Sequence, residues 1–184
     1  MNNELQTLIT RGRDILANDP DGHLPLGIRQ AIWATLDRDK RVRLAIASAR
    51  RVAPSWNAEL RPAFTADLLE AAEVALSDPS EADEARELAD EAWTTLLDVT
   101  GSDRAILAGF ATVAALIAAA MDEQFDANDL DLSRIEEEDP ESRDAAAYAA
   151  MSAAGGELAA DEADPEARRE FWNWWLNEAA AITR

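Results

Sequence analysis

The sequence predicts an all-α fold: one compact domain, residues 1–184, of about eight helices around a buried central helix at 103–121. Three observations carry that prediction. Nearly half the residues are apolar, Ala dominates them, and β-branched residues are sparse. That balance favours helix, because Ala loses no side-chain entropy there. Asp-Pro occurs four times, at Asp19-Pro20, Asp78-Pro79, Asp139-Pro140 and Asp164-Pro165. The Asp carboxylate can accept from freed backbone N–H groups, and Pro fits the first helical position but not deeper ones. Between these marks apolar residues recur at helical spacing. The length matches one domain and is sufficient to bury a core.

The elements follow in order. A first helix at 3–17 runs to the DPDGHLP turn, and a second spans 25–37. The third, 39–53, carries Val42, Ala45, Ile46, Ala49 and Val52 on its apolar face and stops before Pro54. Lys40, Arg43, Leu44, Arg50 and Arg51 point elsewhere. The fourth, 62–77, puts Phe64, Leu68, Ala72 and Ala75 on one side with Glu70 and Glu73 opposite. The fifth, 80–99, aligns Ala85, Leu88, Ala89, Ala92, Trp93, Leu96 and Val99. The sixth, 103–121, is apolar all round, as a helix surrounded by others should be. Its small residues Ala108, Gly109 and Ala111 let neighbouring backbones approach. Its charge-free run of 17 positions is short for a membrane span. A seventh helix at 140–154 and an eighth at 165–182 follow the last two Asp-Pro pairs.

Between them, residues 122–139 read as a long acidic loop. Phe125, Leu130, Leu132 and Ile135 are interspersed and suited to pack onto the domain. No period repeats along the chain, so nothing supports a solenoid.

On a wheel, the aromatic run of the last helix divides. Phe171, Trp172, Trp175, Ala179 and Ile182 share one face, bordered by Leu176, whereas Trp174 lies about 120° from its centre. Arg168, one turn earlier, is placed to stack on Trp172 or Trp175.

Charge is uneven. Up to Arg61 there are ten basic and seven acidic residues; from Pro62 onward, seven basic and thirty acidic, giving −20 in all. Such a chain repels nucleic acid and anionic membranes and favours basic partners. The Arg-rich third helix is better suited to ion pairing with the acidic half than to nucleic acid. Absence of cysteine excludes disulfides and thiolate zinc sites, and the single His23 excludes His-rich metal sites. No glycine-rich phosphate loop and no triad spacing occurs, and His23 reads as an exposed turn residue. No cofactor and no enzymatic activity is expected. The N-terminus lacks the pattern of a signal peptide, so the expected location is cytoplasmic.

Two acidic patterns invite metal readings. Residues 126–137 place Asp126, Asn128 and Glu137 at calcium-loop positions, but Leu130 stands at the fifth position and Asp131 where Gly is required. Glu70-x-x-Glu73 followed by Glu87-x-x-Asp90 resembles the magnesium motif of all-α nucleoside triphosphate pyrophosphatases. Catalysis there needs inward carboxylates in a sheltered cleft. The wheel instead turns Glu70, Glu73 and Glu87 outward and leaves Asp90 well off the buried face.

Four stretches together carry a resemblance: LPLGIRQAIWATL (24–36), VRLAIASARRVAPSW (42–56), AAYAAMSAAGG (146–156) and ARREFWNWWLNEA (167–179). In this order they resemble a family of α-helical immunity proteins from bacterial polymorphic toxin systems, the fifth family in that classification. The resemblance implies a cytoplasmic antitoxin that binds and neutralises a cognate toxin, often a nuclease. Matched positions are Arg50, Arg51, Pro54, Trp56, Phe171, Trp172, Trp174, Trp175 and Leu176, expected to be framework apart from Trp174. Charge density makes the acidic loop the first expected contact, through Asp122, Glu123, Asp126, Asp129, Asp131, Glu136, Glu137 and Glu138, with Trp174 as a second candidate. A nuclease presents a cationic cleft, toward which an acidic protein is steered. A helical scaffold for some other basic protein would differ only in its partner.

Overall fold

The computed structural model describes residues 3–121, 143–156 and 162–183. They form eight α-helices and, among the described residues, no strand. The helices are α1 (Asn3–Asn18), α2 (Leu26–Ala34), α3 (Arg38–Glu59), α4 (Pro62–Ser77), α5 (Ala82–Leu97), α6 (Asp103–Ala120), α7 (Ala145–Ala154) and α8 (Pro165–Ala181). The all-α prediction and the central helix both hold. The sixth helix packs against α3, α4, α5 and α7, and α8 closes over α1, α3 and α7.

Composition explains the arrangement. Ala105, Ala108, Ala111, Ala115 and Ala119 of α6 are buried, so four neighbours approach its backbone closely. At Gly109 the approach leaves no room for a side chain. An added Cβ would lie 2.7 Å from Leu96 Cδ2 and 2.8 Å from Trp56 Cζ3. Among the described residues, α6 is the one helix long and apolar enough to cross a membrane, and most of it is buried inside the fold.

Side-chain caps set the helix starts. Asp37 accepts from Lys40 N at 3.0 Å, Ser102 from Ala105 N at 3.2 Å and Asp144 from Ala147 N at 2.8 Å. Two of the Asp-Pro pairs behave as predicted. Asp78 accepts from Ser80 N at 3.0 Å, opening a 3₁₀ turn (Pro79–Glu81), and Asp164 accepts from Glu166 N and Ala167 N. Asp19 instead caps a turn, accepting from Asp21 N and His23 N at 3.0 Å. Asp139-Pro140 lies outside the described residues. Each cap supplies an acceptor to otherwise unpaired N–H groups.

Two predicted features need correction. Pro54 does not end α3, which runs on to Glu59 with the proline inside it. Proline deprives the Arg50 carbonyl of its donor, but both residues are exposed and water can replace the lost bond. Beyond the proline, buried Trp56 anchors the last turns, donating from Nε1 to Arg61 O at 2.8 Å and stacking on Phe64. Leu44, assigned to the outer side, is fully buried together with Ser48. Because α3 touches α4, α6, α7 and α8, more than one stripe of it is covered.

Candidate partner-binding surface

The four stretches shared with the resembled family meet in space. Arg29 of α2 is fully buried and pairs with Asp144, the residue that caps α7. The same guanidinium stands 5.2 Å from the Trp172 ring centroid on α8. One side chain therefore ties α2, α7 and α8 together. A buried guanidinium is tolerable only with such partners, and arginine's flat fork suits both a carboxylate and a ring face. This corrects the expectation for Arg168: the cation over Trp172 is Arg29. Arg168 is buried and donates to Asp21 O at 3.0 Å and Gly156 O at 3.4 Å, fastening the 19–25 turn to α8. Burial pushes its pKa below the usual arginine value, while the Asp21 and Asp19 carboxylates oppose that. His23 is half-buried rather than exposed, edge-on to Trp172 at 6.1 Å.

The aromatic run divides as the wheel indicates. Phe171, Trp172, Trp175 and Leu176 are buried; Trp174 is half-buried. Its ring lies 5.4 Å from Phe171, and the Arg51 guanidinium stands 4.6 Å over it from α3. Arg50 reaches the other way, donating to Glu73 Oε1 of α4 at 2.6 Å. The Arg-Arg pair thus clips α3 to α8 and α4 in turn.

Among the described residues, the α4–α5 hairpin presents a strongly acidic outer surface. Its inner faces, Leu68, Ala72 and Ala75 of α4 and Ala85, Ala89 and Ala92 of α5, lie in the core. Its outer faces carry acid. Residues 62–98 hold eleven carboxylates and one base, Arg86. Asp67, Glu70, Asp83, Glu84, Glu87 and Asp90 are exposed, and Leu97 stands 66 % exposed at the end of α5. The turn between the helices is held by Asp78, which also accepts from Ser80 Oγ at 2.7 Å, and these bonds keep its carboxyl below the usual range. Glu59 accepts from Ser102 Oγ at 2.7 Å and N at 3.1 Å, joining the end of α3 to the start of α6. That bonding lowers the Glu59 pKa in the same way.

The pyrophosphatase quartet is not gathered. Glu70, Glu73, Glu87 and Asp90 are all exposed, and Glu73 is engaged by Arg50. Among the described residues no three His, Asp or Glu side chains come together to hold a metal ion. The predicted contacts Asp122, Glu123, Asp126, Asp129, Asp131, Glu136, Glu137 and Glu138, like the calcium-like stretch 126–137, lie outside the described residues. The α4–α5 face was not singled out as a contact surface, although its signal was available: the wheel that turns Glu70 and Glu87 outward also builds an acidic face. Asp144 was missed as the partner of Arg29, its signal being an Asp set just before an alanine run.

Arginine–aromatic and arginine–carboxylate contacts thus lock the helical frame, and its α4–α5 face is strongly acidic. The chain belongs to the Immunity protein Imm5 family, whose profile matches residues 9–182. That span takes in all four stretches that carry the resemblance. No curated protein matches the chain.

Proposed function

We propose that this chain neutralises its cognate toxin by binding it through acidic surface, and that the toxin is a basic protein that cleaves nucleic acid. Family membership implies the cognate toxin. The observation that supports the acidic contact is the α4–α5 outer face, with eleven carboxylates against one arginine over residues 62–98. A cationic nuclease cleft is the natural complement, and opposed charge raises the encounter rate. The acidic stretch 122–139 extends the same chemistry. Trp174 is the candidate anchor, since half-buried tryptophans beside arginine are common holding points in interfaces.

Co-expression with the protein encoded beside this chain tests the reading. Growth arrest by that protein alone, relieved when this chain is present, is the expected result. A harmless neighbour, or one that stays toxic and unbound, contradicts it. Capture of an unrelated basic protein in its place would favour the scaffold reading. No observation favours the pyrophosphatase, whose four carboxylates face solvent.

A further inference from the structure

Among the described residues, three large apolar side chains stand exposed: Leu97 at 66 %, Val74 at 45 % and Met121 at 37 %. Two of the three lie on the acidic α4–α5 face. Along the outer side of α4, Asp67, Glu70 and Val74 recur at helical spacing, and all are exposed. Along α5, Asp83, Glu87, Asp90, Thr94 and Leu97 do the same. Each outer stripe thus runs through carboxylates and ends on one aliphatic residue. Neither Val74 nor Leu97 belongs to the core or packs against it, so folding calls for no aliphatic side chain at either place.

The two residues stand at opposite ends of the hairpin. Val74 adjoins the turn between the helices, its carbonyl accepting from Asp78 N at 2.8 Å. Leu97 closes α5, about 20 Å from that turn at the helical rise per residue. Glu87 and Asp90 lie along α5 between the turn and Leu97, and Glu70 lies one turn beyond Val74 on α4.

Charge on this face selects its occupant. A second copy would set carboxylate against carboxylate, and an anionic membrane would be repelled in the same way. A basic protein meets the carboxylates with opposite charge, and apolar recesses on it would receive the aliphatics. Charges at the rim of an interface act chiefly on association, whereas side chains desolvated in the complex act on dissociation.

We propose that Val74 and Leu97 retain the toxin on the α4–α5 face, entering two apolar recesses about 20 Å apart that flank its Lys- and Arg-rich surface. The carboxylates govern the encounter. This rests on the reading that the chain neutralises a basic toxin through acidic surface. Association and dissociation rates of the full chain with the purified protein encoded beside it, measured separately, test the proposal. Leu97→Gln and Val74→Thr leave the net charge unchanged at exposed positions, so the melting temperature should hold. Leu97→Gln should dissociate at least about tenfold faster and Val74→Thr at least about threefold faster. The association rate and its salt dependence should match the native chain in both. Leu97→Met, which keeps an apolar side chain, should stay within about twofold of native dissociation.

Unchanged dissociation in either variant, or affinity lost through association alone, would overturn the inference and leave toxin neutralisation standing. So would fast dissociation of Leu97→Met, because apolar contact would then not be the cause. Self-association of the native chain that disappears in Leu97→Gln would give the face to a second copy and overturn it as well. A native chain that does not bind the toxin at all defeats the reading beneath it too.

Discussion

Arg29 is the residue whose removal should cost most. It is fully buried, pairs with Asp144 and covers the Trp172 ring. Arg29→Leu leaves a carboxylate without its cation at the α7 cap and should destabilise the fold by about 3 kcal/mol or more, read as a lowered urea midpoint. Arg51 and Trp174 form a pair of a different kind, half-exposed and therefore weaker. A double-mutant cycle between Arg51→Ala and Trp174→Ala should return a coupling of about 0.5–1 kcal/mol. Coupling near zero would release Trp174 from a packing role. If Trp174→Ala also lowers toxin affinity at unchanged melting temperature, the ring faces the partner; a lowered melting temperature with affinity retained assigns it to packing.

Among the elements, α3 and the α4–α5 hairpin carry the instructive results. Helical spacing and caps made most of the helices readable from sequence, and α8 divided into buried and outer aromatics as its wheel required. Helix α3 was cut short because Pro54 is locally a stop signal, whereas burial of Trp56 on the far side of the proline outweighs one lost hydrogen bond. Pro54→Ala restores that bond and should stabilise the protein by about 1–3 kcal/mol, allowing for the freedom the unfolded chain regains. A fall in stability would show that the ring is itself needed.

Long-range partners were not legible. Arg29 with Asp144 and Arg51 with Trp174 are separated by most of the chain, and no periodicity encodes which cation meets which ring. The acidic face was legible as geometry, but metal chemistry drew attention to the same residues.

Over the whole molecule, stability should depend on pH and on salt in separable ways. Hydrogen bonds from Lys40, Ser102 and Ser80 hold the carboxyls of Asp37, Glu59 and Asp78 below their ordinary values. A depressed carboxyl stabilises the fold above its unfolded pKa, and that contribution is lost as pH falls through the folded value. Unfolding should therefore begin below about pH 4, with little change between neutral pH and about pH 5. Salt acts on the net −20. Raising ionic strength from about 0.01 M to about 0.15 M shortens the screening length from about 30 Å to about 8 Å, and the melting temperature should rise as self-repulsion is damped.

The same field is what the toxin is proposed to meet, so its effect on association is the direct test. The measurement is the association rate of the purified chain with its cognate toxin over a range of salt, beside a variant with Glu70, Glu87 and Asp90 changed to Lys. In the native chain the rate should fall steeply with salt. In the variant, the rate at low salt should be at least about tenfold slower and nearly flat with ionic strength. A native rate insensitive to salt and unaffected by the charge reversal would contradict it.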